Sequence, residues 1–140
     1  LKKPKRIIST PSPIVPVPNR PGTNTLDRNS HLYGKAFEHF IGMELRAYVS
    51  YRRKRLQLSY WRSVHGYEVD FILARQTAVE VKSTRKISRR DFNGLRALEE
   101  EKMFKEYILV SQDPIRRREN AFQALHWKQF LNDLWSDKLI

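Results

Sequence analysis

The sequence predicts a mixed α/β domain, and three observations support this prediction. Apolar residues recur at helical spacing between Phe37 and Val49, three short segments rich in β-branched and aromatic residues follow in residues 57–84, and helical and strand patterns alternate after them. Such an order is typical of a sheet packed against helices. Of the 140 residues, 40% are hydrophobic, which is enough apolar material for the core of one domain. We assign this domain to residues 31–140.

Residues 1–30 differ in composition from the rest of the chain. They hold six of the seven prolines, and they carry six basic residues against one acid. Proline lacks the backbone donor that a helix interior or a central strand needs. We therefore predict an extended basic arm or linker that contributes little to the core. Because the chain opens with Leu1 rather than Met, we also expect it to be a piece of a longer protein or a processed product.

A cap residue and two short gaps in the sequence mark where the first helix and the next three strands begin and end. Ser30 is a suitable N-cap, so the helix is predicted from about His31 to Arg53. The residues of its apolar face are Phe37, Phe40, Ile41, Leu45, Tyr48 and Val49. Strands are predicted at residues 57–64, 67–74 and 77–84, and the two-residue gaps between them have the length of hairpin turns. These strands should form an antiparallel meander.

The second half of the domain returns to helical patterns around one more strand. A second helix is predicted over residues 88–102, with Ser88 as a candidate cap. The side that it buries carries Phe92, Leu95, Leu98 and Met103. A buried strand fits residues 106–111, and residues 113–118 should form a loop. A last helix is predicted over residues 126–135, with the inward residues Trp127, Phe130, Leu131, Leu134 and Trp135.

Composition and missing motifs exclude several functional classes. The chain has no cysteine, which excludes disulfide scaffolds, zinc ribbons, iron–sulfur clusters and cysteine nucleophiles, and a cytoplasmic location is expected. No apolar run approaches the roughly 20 residues that span a bilayer, and no leader sequence is recognisable, so we expect no membrane partner. The Gly34-Lys35 pair lacks the other residues of a P-loop, so this chain should not bind ATP. The four histidines lack the spacing of metalloprotease ligands.

Carboxylates in the middle of two predicted strands are the main sign of chemistry. Asp70 and Glu80 are each flanked by apolar residues, and a buried carboxylate is costly without a cationic partner. Strand alternation places Glu68, Asp70 and Ile72 on one face and Tyr67, Val69, Phe71 and Leu73 on the other. In the next strand, Glu80 and Lys82 share a face.

If these two strands are neighbours, Asp70, Glu80 and Lys82 converge. Two oxygen ligands beside an ammonium group suit a Mg²⁺-dependent phosphodiesterase site. In the alternative, Glu80 and Lys82 face solvent on a half-exposed sheet and pair with their neighbours. On the first helix, either Glu38 or Glu44 is a candidate for a third site acid, because both lie at or inside the apolar arc. The alternative there is a structural acid paired with an arginine such as Arg62 or Arg46.

The same residues carry a family resemblance. GKAFEHF on the first helix, YEVDFIL on the second strand and AVEVKST on the third resemble, in this order, the motifs of the PD-(D/E)XK nuclease superfamily. The likeness covers roughly residues 31–135. It is strongest to a domain of unknown function that lies C-terminal to AAA-type P-loop ATPase domains in bacteria and archaea. The resemblance implies a restriction-endonuclease-like αβββαβ core with a mixed central sheet flanked by helices, plus a C-terminal helix.

The resemblance also implies roles for individual residues. It makes Glu38, Asp70 and Glu80 acidic site residues and Lys82 the catalytic lysine, with Mg²⁺ or Mn²⁺ as the cofactor. Asp70, Glu80 and the carbonyl of Val81 would hold the ion. The expected function is a Mg²⁺-dependent nuclease-like domain acting on DNA phosphodiesters, as a fragment or standalone relative of the ATPase-linked domain. The alternative is a non-catalytic DNA- or protein-interaction module of the same fold, whose partner is an ATPase domain or another protein.

The charge balance supports a polyanionic partner. The chain has 27 Lys and Arg against 15 Asp and Glu, a formal net charge of +12. Basic side chains that neutralise phosphates supply affinity for DNA of any sequence. The candidate phosphate contacts are Arg52, Arg53, Lys54, Arg55, Arg62, Arg89, Arg90, Arg116, Arg117 and Arg118.

Overall fold

The computed structural model describes residues 5–6, 30–52 and 56–140. The elements in these ranges are β1 (Lys5–Arg6), α1 (His31–Tyr51), β2 (Leu58–Arg62), β3 (Glu68–Leu73), β4 (Thr77–Val81), a 3₁₀ helix (Arg89–Phe92), α2 (Asn93–Glu99), β5 (Glu106–Ser111), β6 (Arg117–Glu119), β7 (Phe122–His126) and α3 (Trp127–Trp135). The predicted mixed α/β class is therefore confirmed. No helix in the described ranges has the length and apolar character needed to cross a membrane.

The strands of the described residues form one mixed sheet of seven strands in the order β1-β2-β3-β4-β5-β7-β6. Strands β2, β3 and β4 form the predicted antiparallel meander. Strand β5 then pairs parallel with β4, because the 3₁₀ helix and α2 carry the chain back across the sheet between them. Strand β7 is parallel to β5, and β6 closes this edge antiparallel to β7.

Helices cover both faces of the sheet. On one face α1 and α3 bury a cluster with Ile41 and Phe130 at its centre, both fully inaccessible to solvent. On the other face α2 contributes Leu95 and Leu98 to a second cluster around Trp61. The apolar faces predicted for α1 and α3 are thus largely confirmed. The carboxylates discussed below lie at the end of the sheet where both layers leave a cleft.

Helix α1 begins where its sequence predicts. The Ser30 hydroxyl accepts a hydrogen bond from the Tyr33 N–H at 3.1 Å, which confirms the cap. The prediction that Phe40 is buried is wrong, because this ring lies at the helix margin, is 39% exposed and packs edge-on against Trp127. The predicted end at Arg53 lies outside the described residues, as do Lys54 and Arg55, and the helix itself ends at Tyr51.

Several elements differ from the prediction: β2 and β4 end at Arg62 and Val81, before the predicted residues 64 and 84, and strand β7 (Phe122–His126) was not predicted. Helix α2 ends at Glu99 rather than at residue 102, because three consecutive acids oppose the dipole at a helix C-terminus, and Lys102 adopts a left-handed conformation. Residues 117–119 form strand β6 rather than part of a loop, and this short polar strand has no apolar alternation to signal it. Lys5 and Arg6 pair with β2 at the sheet edge. The other residues of the predicted arm, up to 29, lie outside the described residues.

Gly94 allows α2 to lie directly against β3. An ideal Cβ at this position would come within 2.2 Å of the Glu68 carbonyl oxygen, a backbone atom that cannot move aside. We predict that Gly94→Ala lowers the free energy of unfolding by at least about 2 kcal/mol. The measurement is the denaturant midpoint at constant m-value.

Gly34→Ala is the matched control for this prediction. A Cβ at Gly34 would meet only the Ser83 hydroxyl at 3.5 Å, an ordinary contact, and alanine favours the helix. Its midpoint should stay equal or rise. Equal stability of the two variants would show that α2 does not need the close approach at Gly94.

Candidate active site

A β-bulge in β3 sets the direction of Asp70. Ser59 pairs with Ile72 and Trp61 pairs with Val69, so β3 carries one more residue than β2 between these pairs. The predicted alternation is therefore wrong at this point: Val69 packs with the cluster under α2, whereas Phe71 packs on the α1 side. The extra residue turns the Asp70 side chain toward β4.

The carboxylates of Asp70 and Glu80 accept backbone hydrogen bonds just beyond the point where the ladder between β3 and β4 ends. The last backbone pair toward this end of the strands is Phe71 with Val79. Beyond it, the Val81 N–H donates to Asp70 Oδ2 at 2.8 Å, and the Asp70 N–H donates to Glu80 Oε2 at 3.3 Å. Each carboxylate thus satisfies a backbone donor of the opposite strand, and the two groups are held side by side.

Lys82 completes this cluster. Its Nζ lies 3.0 Å from Glu80 Oε1, and its backbone N–H donates to the Val110 carbonyl at 2.9 Å. Glu80 is only 6% exposed, so the alternative in which it faces solvent is wrong. The Lys82 side chain, in contrast, is 42% exposed and reaches the cleft. The structure therefore brings together Asp70, Glu80 and Lys82, as their strand positions predicted.

The cluster holds negative charge that its own cation only partly neutralises. Burial, followed by the charges of Glu80 and Glu38, raises the pKa of Asp70 to about 8, although the Val81 N–H and Lys82 act in the other direction. Burial also raises the pKa of Glu80 against the opposing effect of Lys82. Burial would lower the pKa of Lys82, but the Glu80 carboxylate outweighs it and raises this pKa. A further cation would stabilise the ionised carboxylates.

The structure separates the two candidate acids of α1. The Glu44 carboxylate accepts a hydrogen bond from Trp135 Nε1 at 3.0 Å, so it serves the packing of α1 against α3. Glu38 lines the same cleft as Asp70 and Glu80, and its Oε2 lies 3.8 Å from Lys35 Nζ. Glu38 is therefore the acid of α1 that belongs to the site.

The cleft above the carboxylates has a volume of about 380 Å³. Its walls are α1 with Lys35 and Glu38, the turn between β2 and β3 with Tyr67, and the 3₁₀ helix with Arg90. Sequence reasoning missed Lys35 and Tyr67 as site residues. Lys35 could have been found, because it lies one helical turn before Glu38 and therefore on the same side of α1. Tyr67 had no such signal, because the turn between β2 and β3 brings it to the cleft.

The basic residues predicted to contact phosphates lie in different parts of the structure. Arg90 lines the carboxylate cleft, and Arg89, Arg117 and Arg118 line a larger groove of about 700 Å³ beside α2. The ion pairs that several of these cations form are Arg52 with Asp137 at 3.8 Å, Arg62 with Glu68 at 2.7 Å, Arg117 with Asp113 at 3.2 Å and Arg118 with Glu106 at 2.8 Å. Arg116 is exposed. Arg53, Lys54 and Arg55 lie outside the described residues.

The donor set fits a hard divalent cation with few protein ligands. Across the described ranges, no group of three or more His, Cys, Asp or Glu side chains is arranged to hold a metal ion. Mg²⁺ is commonly bound through one or two carboxylates while it keeps several waters. Asp70 and Glu80 supply two such carboxylates on adjacent strands, and burial raises the pKa of each, so that a bound cation would favour their ionised forms. Glu38 does not join them in a three-carboxylate site.

Comparisons with known proteins give one result. No curated protein and no solved structure matches this chain. A family model matches residues 33–130, a range that runs from the first turn of α1 into α3 and includes Glu38, Asp70, Glu80 and Lys82. The chain belongs to the family of the domain of unknown function DUF4143.

Proposed function

We propose that this domain is a metal-dependent phosphodiesterase of the PD-(D/E)XK type that cleaves DNA, as a fragment or standalone relative of an ATPase-linked domain. The observation that carries the proposal is the pair of carboxylates, Asp70 and Glu80, that joins the ends of β3 and β4 by hydrogen bonds. Lys82 Nζ lies 3.0 Å from Glu80 Oε1 in the same cluster. The element order α1-β2-β3-β4-α2-β5 also supports it, because the superfamily that the motifs resemble shares this order.

Asp70 and Glu80 are the residues that would hold Mg²⁺ or Mn²⁺, together with the carbonyl of Val81. When bound, the ion would polarise the phosphate and lower the pKa of a water molecule. Asp70 and Glu80 are already positioned by backbone N–H groups, so little reorganisation is needed for them to serve as ligands.

Lys82 acts as a cation rather than as a base. Its raised pKa keeps the ammonium protonated at neutral pH, so it donates hydrogen bonds and does not abstract a proton. From the floor of the cleft this ammonium would orient the attacking water and stabilise the charge that develops on the phosphate. Glu38, on the opposite wall, would accept a hydrogen bond from a water molecule of the site.

A nuclease assay tests this function. Linear, branched and single-stranded DNA are incubated with the full chain in Mg²⁺, in Mn²⁺ and in a chelator. We expect cleavage only with a divalent cation, and loss of cleavage in Glu80→Gln. Glu44→Gln is the matched control, because its amide oxygen can still accept the Trp135 hydrogen bond away from the cleft. Absence of cleavage on every substrate by the unaltered chain would refute the proposal.

DNA binding should depend strongly on salt and little on sequence. With a net charge of +12 and about five phosphates neutralised, log K is expected to fall against log salt with a slope of roughly −4 to −5 for duplex DNA. Fluorescence anisotropy with two unrelated sequences between 50 and 200 mM salt, roughly the range over which such contacts weaken, measures this slope. A flat salt response would instead indicate a protein partner.

One observation favours the alternative of a non-catalytic interaction module. The outward face of α1 carries Leu32 and Met43, which are exposed by 67% and 42% and lie about three helical turns apart. Phe40 and Tyr51 at its margin are exposed by 39% and 76%, although both rings also contact α3. Such an apolar stripe is a common feature of helices that pack against another protein. Under this alternative, the unaltered chain cleaves nothing, and Glu80→Gln changes neither metal binding nor DNA binding.

A further inference from the structure

The mouth of the carboxylate cleft carries three side chains that the proposed cleavage step does not use. Tyr67 stands on the hairpin between β2 and β3, Arg90 on the 3₁₀ helix and Lys35 on α1. They come from three separate walls of one recess, with Asp70 and Glu80 on its floor. A substrate that reaches the floor can therefore contact all three of them.

The dimensions of this recess limit what can enter. A volume of about 380 Å³ lies at the small end of the range for pockets that hold a single small molecule, which is room for about one nucleotide. Glu80 on the floor is almost completely buried. A phosphate therefore approaches the carboxylates more easily from a strand that can bend and turn out one nucleotide than from a stacked, paired duplex.

The backbone of Tyr67 is fixed at the edge of the cleft. Its backbone N–H donates to the Ser63 hydroxyl at 3.0 Å, and its carbonyl accepts from the Ser63 N–H at 2.8 Å, so the end of the hairpin is closed by two hydrogen bonds. The residue is nevertheless 46% exposed. An anchored, exposed aromatic ring beside a cleft can stack on a nucleobase of any identity.

Neither cation of the mouth is held in a strong ion pair, and two acids of the cleft, Glu80 and Asp91, already have partners. Glu80 pairs with Lys82, and the Asp91 carboxylate accepts from the Ser88 N–H at 2.8 Å. Among the residues that the structure describes, Arg90 has no ion-pair partner. The 3.8 Å pair of Lys35 with Glu38 is solvent-exposed and therefore weak.

We propose, on the basis of the proposed function, that the cleft takes one nucleotide of a single DNA strand. The base lies against the Tyr67 ring, and the adjoining phosphates contact Arg90 and Lys35. The preferred substrate is accordingly single-stranded DNA or a frayed strand end, rather than continuous duplex.

Binding in a chelator tests this inference separately from cleavage. A labelled 12-nucleotide strand and the duplex of the same sequence are titrated with the full chain and followed by fluorescence anisotropy. We expect the single strand to bind more tightly, and Tyr67→Ala to weaken its binding by about fivefold or more, as expected for loss of one stacked base. Tyr67→Phe should bind like the unaltered chain, because the stacking face is kept. Tyr60→Ala is the matched control, because Tyr60 is similarly exposed on β2 but does not line the cleft.

The outcomes separate this inference from the proposed function. Strand binding that depends on Tyr67 in a protein that never cleaves DNA would support the inference and refute the nuclease proposal. Cleavage of duplex and single strand at equal rates, unchanged by Tyr67→Ala, would support the nuclease proposal and refute the inference. Duplex binding as tight as strand binding, with no effect of Tyr67→Ala on either, would also overturn the inference.

Discussion

Lys82→Ala is expected to lower metal-dependent DNA cleavage by about 10³-fold, because it removes the ammonium that we propose orients the water and stabilises the developing charge. Divalent cation affinity should change little or rise, since a positive charge 3.0 Å from Glu80 is lost. The measurements are single-turnover cleavage and calorimetric titration with Mg²⁺ and Mn²⁺. This combination of lost cleavage and kept metal binding is the expected signature of a residue that acts on the reacting groups.

Lys86→Ala is the matched control for Lys82→Ala. It removes the same charge from an exposed position four residues further along the chain, so cleavage should stay near that of the unaltered protein. If Lys82→Ala cleaves DNA at the original rate, Lys82 only neutralises Glu80. If both variants lose activity equally, general electrostatic attraction to DNA rather than the site explains the effect.

Asp70→Asn is expected to abolish cleavage and to weaken divalent cation binding by at least about tenfold, because it removes one of the two proposed charged ligands. The amide oxygen of asparagine can still accept from the Val81 N–H, so the local backbone arrangement is kept. Asp70→Asn should therefore lose both cleavage and metal affinity, whereas Lys82→Ala should lose cleavage alone. Metal binding that is unchanged in Asp70→Asn would exclude this carboxylate as a ligand.

The same variant has an effect on stability that depends on pH. The pKa of Asp70 is about 8 in the folded protein and roughly 3.9 in an unfolded chain. Between these values the unfolded state releases a proton that the folded state keeps, so the free energy of unfolding falls as the pH rises from about 4 to about 8. Without a divalent cation, Asp70→Asn should therefore be more stable than the unaltered chain at pH 8, by at least about 1 kcal/mol, and the gain should shrink toward pH 4.

Asp113→Asn provides the control of opposite sign. Burial acts to raise the pKa of Asp113, but hydrogen bonds from the Ile115 and Ile87 N–H groups, together with Arg117, outweigh burial and lower it. Its carboxylate therefore stabilises the fold above the unfolded pKa of roughly 3.9, and this contribution is lost as the pH falls through the lower folded pKa. Thermal unfolding of both variants between about pH 2 and 8 measures the contrast, because the Asp113 contribution changes only below about pH 4 and the Asp70 contribution only above it. Similar pH profiles would contradict the charge arrangement at Asp70.

Local patterns in the chain were sufficient to predict most of the core. The Ser30 cap, the apolar spacing of α1 and α3 and the β-branched segments of β2 to β5 each signal their element within a few residues. The edge strands β1 and β6 and the interior strand β7 were not predicted, because none of them has a clear pattern in its own sequence. Strand β6 consists of three exposed polar residues, so its pairing depends on the neighbouring strand β7 rather than on burial of its own side chains.

The sequence by itself identified Asp70 and Glu80 as candidate site residues, because an acid within an apolar strand requires a partner wherever the strand lies. Only the tertiary structure decided how those residues meet. The choice of Glu38 over Glu44 depends on how α1 rotates against the sheet and α3, and the direction of Asp70 depends on a bulge that exists only once β3 is paired with β2. Contacts of this kind join residues far apart in the chain, and no local periodicity encodes them.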